Sequence, residues 1–173
     1  MLLPKQVVSF KQLISEGFTK KEILLFSSKL RIFPTPFKGI YYVPAEEERK
    51  GFFIEKPLKV LSQAISIYLK SHDFYFSLST AEEFFGIKWH PSGTIHVVNS
   101  RISRSIDLKV RIERNLTKTS WRAKKIARIL SFYGHKIIFH KLDISDAKIK
   151  STPYGTFATK SQIKIDKKRV RLH

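Results

Sequence analysis

"EGFTKKEILLFSSKLRIFPTPFKGIYYVP", residues 16–44, is the stretch whose reading decides the fold. Thr19 is a strong helix N-cap, and Glu22 three residues later completes a capping box, so a helix is predicted to run from there to about Leu30. On a helical wheel Ile23, Phe26 and Leu30 cluster, Leu24 and Leu25 flank them, and Lys20, Lys21 and Ser28 fall on other sides. Arg31–Phe33 and Ile40–Val43 are β-favouring runs separated by "PTPFKG", whose two prolines and glycine bar a helix and favour a hairpin tip carrying Lys38.

Working outward on the N-terminal side, "FKQLISE" puts Phe10, Leu13 and Ile14 on one helical side, and Gly17 stands where a helix most often stops. A helix, a Gly turn, a capped second helix and a two-stranded flap follow one another in the order of a winged helix-turn-helix, in which the second helix enters the major groove. Thr19, Lys20, Lys21, Ser28, Lys29, Arg31 and Lys38 are the candidate DNA-binding residues of this element. Lys20 and Lys21 would lie at the base-reading end, and Arg31 and Lys38 would hold the wing to phosphates.

On the C-terminal side, the charged stretch 45–56, with Glu46, Glu47 and Glu48 in a row, reads as a linker or domain edge. Pro57 suits the first turn of a helix with the apolar stripe Leu58, Leu61, Ile65, Tyr68 and Leu69. "DFYFSLS" alternates as a half-buried strand, Thr80 with Glu83 suggests a capping box for "AEEFF", and residues 87–113 look like an antiparallel meander ending in "SIDLKVRIE". A helix is predicted over about Ser120–Tyr133, then a strand "HKIIFH", and only a weak strand near Ser161–Ile165 beyond Lys141. The predicted class is α+β: a winged helix-turn-helix over 1–45, a linker over 46–56, and a basic α/β domain with a small, largely antiparallel sheet over 57–173.

Charge narrows the partner. The 173 residues hold 33 Lys and Arg against 14 Asp and Glu, a net charge of +19, which costs self-repulsion that a fold alone does not need. Residues 1–100 carry 13 basic and 9 acidic side chains, and residues 101–173 carry 20 and 5, so the excess is concentrated late in the chain. In the predicted helix 120–133, Ala123, Ile126, Ile129, Leu130 and Tyr133 share the apolar side, leaving Lys124, Lys125 and Arg128 outward. With Arg101, Arg104 and Arg122 they form a second candidate nucleic-acid surface, interleaved with aromatic residues such as Trp121. The expected partner is double-stranded DNA.

Other chemistries leave fainter traces. There is no cysteine, which removes disulfide frameworks, thiol catalysis and Cys-based zinc modules, and no run approaches the roughly 20 apolar residues of a membrane span. With no apolar leader at the N-terminus, the expected location is cytoplasmic. The six histidines form no HExxH, and the seven glycines form no GxGxxG or P-loop, so neither a metal nor a nucleotide cofactor is expected. "DLK" at Asp107–Lys109 resembles the Asp-x-Lys strand of metal-dependent nucleases, with Asp73, Glu82 and Glu83 as conceivable companions. In so basic a chain an acid two places before a lysine recurs by chance, as at Asp146–Lys148 and Asp166–Lys168, so a non-enzymatic protein is expected and the nuclease is the runner-up. An RNA-binding module built on residues 101–133 is the third reading.

"LISEGFTKKEILLFSSKLRIFPTPFKGIYYVP", "FYFSLSTAEEFFGI" and "TIHVVNS" together resemble the AbiEi-like winged-helix regulators, a family that includes antitoxins of abortive-infection systems. The resemblance spans roughly residues 10–113. It implies that Thr19–Leu30 and Arg31–Val43 contact DNA to repress transcription, and that the following α/β domain engages a toxin. The chain departs from the family in the short segment before Phe10 and in lacking a long helical tail after residue 141. A homodimer matched to a palindromic site is compatible with the motif, although no heptad seam is visible.

Overall fold

The computed structural model describes residues 2–171 of the chain. Helices and strands are mixed in an α+β fold whose sheets are antiparallel or mixed. The chain divides into two compact units, one formed by residues 1–70 and 108–133, the other by residues 71–107 and 134–173. This division differs from the expected boundaries, because residues 108–133 return to the N-terminal unit.

In the first unit, strand β1 (Gln6–Ser9) leads directly into helix α1 (Phe10–Ser15), Ser9 capping it through its side chain. Gly17 turns the chain at φ +94°, a conformation that costs other residues a steric penalty, and helix α2 (Lys20–Ser28) follows. The Thr19–Glu22 capping box forms as expected: Thr19 Oγ1 accepts from the Glu22 amide at 3.2 Å, and Glu22 Oε2 accepts from the Thr19 amide at 2.7 Å. Strands β2 (Phe33–Pro34) and β3 (Ile40–Val43) join β1 in an antiparallel sheet of order β1-β3-β2. Val8, Leu13, Ile23, Ile32 and Val43 bury themselves between these helices and the sheet. Strand β1 had no counterpart in the sequence reading, since four residues with partial burial give too short a pattern.

The segment expected to be a linker is structured. Glu46–Gly51 form helix α3, and Glu48 is only 2% exposed. Its carboxylate accepts from Tyr42 Oη at 2.8 Å, from the Ala45 amide at 2.8 Å and from the Glu55 amide at 2.9 Å. A charged run was the wrong guide here, because one glutamate of the three turns inward as an anchor for the surrounding backbone. Helix α4 (Pro57–Leu69) begins at its proline and packs on β1 and β3.

The expected meander over 87–113 does not form. Strands β4 (Phe74–Phe76), β5 (Thr94–Asn99) and β6 (Arg104–Asp107) belong to the second unit, but "LKVRIERNL" is helix α6 (Leu108–Leu116), in the first. Its alternation was ambiguous over so few residues, and tertiary packing chose the helix. Helix α5 (Leu78–Phe84) starts at Ser77, so Thr80 lies inside it and makes no capping box; Thr80 Oγ1 instead accepts from the His96 amide. Helix α7 (Trp121–Ser131) is capped by Ser120 and packs in a pair with α6 and against β2. Ile126 is part-exposed where full burial was expected, and Ala127 is buried in its stead.

Strand β7 (Lys136–Lys141) inserts between β5 and β6, parallel to the first and antiparallel to the second. Strands β8 (Ile149–Thr152) and β9 (Gly155–Ala158) complete a six-stranded mixed sheet of order β6-β7-β5-β4-β9-β8. The weak strand expected near 161–165 is part of helix α8 (Lys160–Arg171), which buries Ile163 and Asp166. Asp166 accepts from Ser77 Oγ at 2.6 Å, Gln162 Nε2 at 2.9 Å and Tyr75 Oη at 3.2 Å, a network that ties α8 to β4.

The three adjacent glutamates should therefore respond unequally. Glu48→Ala leaves three donors without an acceptor and is expected to lower unfolding free energy by about 3 kcal/mol. Glu46→Ala removes only an exposed pair with Lys50 and should change it by less than ~0.5 kcal/mol, as read from urea denaturation midpoints.

Candidate functional site

The candidate interface is built on α2. Ile23 is fully buried, and its neighbour Phe26 meets Phe18 edge-on at 5.8 Å, which fixes the inner side of the helix. Lys21 and Ser28 are exposed on the outer side, together with Leu24 at 54% and Leu25 at 46%, and Lys20 and Lys29 are exposed at the two ends of the helix. Two central leucines held in water were not expected to be so open, since the wheel placed them only as flanks. Thr19 and Ser28 are occupied locally: the first as the N-cap, the second by donating to the Leu25 carbonyl at 2.9 Å.

Both ends of α2 are pinned. The capping box holds the N-terminus, and at the other end Arg122 of α7 donates to the Ser28 carbonyl at 3.1 Å and the Ser27 carbonyl at 3.4 Å. A guanidinium at these carbonyls satisfies acceptors that a helix leaves open and complements its negative end. Arg122 thus acts on α2 rather than standing ready for phosphate. Arg31 lies over the Phe26 ring, 5.9 Å from its centre. Lys125, expected to point outward, is half-buried, with its ammonium 4.9 Å from the Phe52 ring and 5.8 Å from that of Trp121. Lys124 and Arg128 are exposed on the same helix.

The hairpin tip is not a free flap. Thr35 and Phe37 are 1% and 3% exposed; Thr35 Oγ1 donates to the Ile40 carbonyl at 2.8 Å, and Phe37 stacks on Tyr68 at 4.5 Å. Arg111 of α6 donates to the carbonyls of Thr35 and Pro36 at 3.4 and 3.3 Å. Among the tip residues Lys38 is the exposed cation. Pro and Gly mark a turn in sequence but say nothing of what covers it, and the covering residue here is 76 positions away.

Arg101 and Arg104 fall in the second unit, so the stretch 101–133 is divided between two bodies. Arg104, with Ser103, Ser105, His140 and Lys141, lines an open groove of about 310 Å³ beside Val170. Asp107, the residue of the nuclease alternative, ends β6 opposite Lys136. Among the described residues no three His, Cys, Asp or Glu side chains come together in a way that could hold a metal ion. No helix among them is long and apolar enough to cross a membrane.

The second unit also holds a pair of imidazoles. His96 Nδ1 and His140 Nε2 are 2.9 Å apart on neighbouring strands, the rings stacked with 5.2 Å between centres. Burial, and then the neighbouring His140 ring, push His96 down to about 4, and burial also lowers His140. Lys88 and Lys136 lower His96 further, while Glu83 on His96 and Asp166 on His140 act the other way without reversing the direction. No protein-family model, curated protein or solved structure matches this chain.

Because the folded state favours neutral rings, the unfolded chain binds more protons once pH falls below the ordinary histidine value of 6.5. Stability is expected to be intact above pH 7 and to fall by about 1–2 kcal/mol by pH 5. His96→Gln, which does not titrate, should flatten that fall in thermal melts taken across the same range.

Proposed function

We propose that the chain is a non-enzymatic binder of duplex DNA, reading it with α2, and that the first unit is a winged helix-turn-helix in which the flap is reduced to Lys38. The observation that carries this reading is the first turn of α2: Lys20 and Lys21 are exposed there, and Lys21 lies across the helix from the fully buried Ile23. A helix presented in this way, followed by the strand pair β2 and β3, suits insertion into the major groove with lysines at the phosphates. The +19 charge supports a polyanionic partner.

The first unit gathers 20 of the 33 basic residues and 7 of the 14 acidic ones, since α6 and α7 join it. Lys124 and Arg128 therefore belong to the same body as α2, and phosphate contact by α7 is part of the proposal. A role in transcriptional regulation, with a toxin as protein partner, follows only from the resemblance to AbiEi-like regulators and is proposed on that footing.

Lys20→Ala combined with Lys21→Ala should weaken binding to a mixed-sequence duplex by about 10-fold or more near 100 mM salt. It should also reduce the slope of log affinity against log salt by about 2. Fluorescence anisotropy over a salt series measures both, and an unchanged affinity and slope would remove α2 as the reading element.

A further inference from the structure

In the second unit, Trp89 is 88% exposed at the crest of the loop that joins α5 to β5. Phe85 and Ile87, alternating with it along the chain, are 37% and 43% exposed. An indole kept almost wholly in water forfeits one of the largest burial gains available to a side chain. The loop beneath it is built rather than slack. Ser92 donates its amide to Glu83 Oε1 at 2.8 Å, and its hydroxyl lies 3.2 Å from that of Ser79. The Ile87 and Lys88 amides both donate to the Glu82 carbonyl, and the His135 amide donates to the Gly93 carbonyl at 2.6 Å. At that crossing the backbones of Gly93 and Gly134 approach so closely that a Cβ on Gly134 would lie 2.7 Å from the Gly93 oxygen. Both glycines also have positive φ, so the anchoring point tolerates little else.

The surroundings select the occupant. Lys88 and His90 flank Trp89 in sequence, and His135 and Lys136 are exposed where β7 meets the loop. Of the nearby carboxylates, Glu83 holds Ser92, Glu82 pairs with Lys167, and Asp107 lies opposite Lys136 across the β6–β7 pair. An aromatic face presented on a fixed loop among cationic side chains, with Glu82 paired to a lysine and Glu83 turned to the Ser92 amide, matches the pattern by which proteins stack unpaired bases while tracking a phosphate backbone. We propose that Trp89 is a stacking platform for an unpaired base of single-stranded nucleic acid, with Lys88 and Lys136 attending the adjacent phosphates. Trp89 belongs to the second unit and α2 to the first, and this proposal stands or falls independently of the duplex-reading one.

The chain has two tryptophans, so Trp121→Phe leaves Trp89 as the sole indole emitter while retaining a ring against Phe52. Titrating that variant of the full chain with an oligo(dT) of about 12 nucleotides at ~50 mM salt should quench its emission saturably. Trp89→Ala should weaken binding of a labelled oligo(dT) by ~5-fold or more, and Trp89→Phe should recover part of it, a pattern that general electrostatics would not give. Lys20→Ala with Lys21→Ala should leave the quenching in place, which separates failure of the α2 reading from failure of this one. Absence of quenching, or equal oligo(dT) affinity for the wild type and Trp89→Ala, overturns the proposal. A blue shift with anionic phosphatidylserine vesicles but no response to oligo(dT) also overturns it, in favour of a membrane surface. Emission that changes only with protein concentration overturns it in favour of contact between copies.

Discussion

The restraint of α2 at both of its ends is the constraint on which the first unit depends. At the leading end the Thr19–Glu22 box closes two open backbone positions, and at the trailing end Arg122 reaches from α7 to the last carbonyls. Between them lie only nine helical residues, too few to hold a helix in water by propensity alone. Its stability must come from Ile23 and Phe26 packing behind it and from the caps, and these same contacts leave the lysines of the first turn outside. Orientation and exposure are thus consequences of a single packing choice.

Arg122 and Arg111 have parallel parts. Each comes from the α6–α7 pair, late in the sequence, and each donates to backbone carbonyls of the N-terminal segment: Arg122 on α2, Arg111 on the hairpin tip. Charge that looks like surplus in sequence is therefore partly structural. Lys125 over Phe52 and Trp121 is a third instance, where a cation is held by ring faces. Lys20, Lys21, Lys29, Lys38, Lys124 and Arg128 are among the exposed cations of this body, and they are the ones the proposal assigns to a partner.

Most local signals in the sequence were readable, the Thr80–Glu83 pair that forms no cap being the exception. Thr19 with Glu22, Gly17 at the turn, Pro57 at a helix start and Ser120 before α7 all fall where capping and turn chemistry put them. What escaped was set by distant partners. Glu48 could not be told from Glu46 and Glu47 without Tyr42, whose hydroxyl it accepts. The helix over Leu108–Leu116 was hidden by a short apparent alternation, and α8 by the low apolar content of its sequence. Strand pairing in the second unit was also illegible, because β7 enters between β5 and β6 after an excursion of the chain into the other unit. The exposed cationic first turn of α2 was visible in advance; the covered hairpin tip and the inward contacts of Arg122 and Lys125 were not.

The central claim is that the outer face of α2 is where duplex DNA lies. The most direct test is an amide-resolved NMR titration of the isotopically labelled full chain with a short mixed-sequence duplex. The account expects the largest shifts over Lys20–Ser28, with a second set around Lys124–Arg128, and little change at the buried Val8, Leu13 and Val43 amides. Shifts confined to the second unit, with α2 unmoved at saturating duplex, would contradict it.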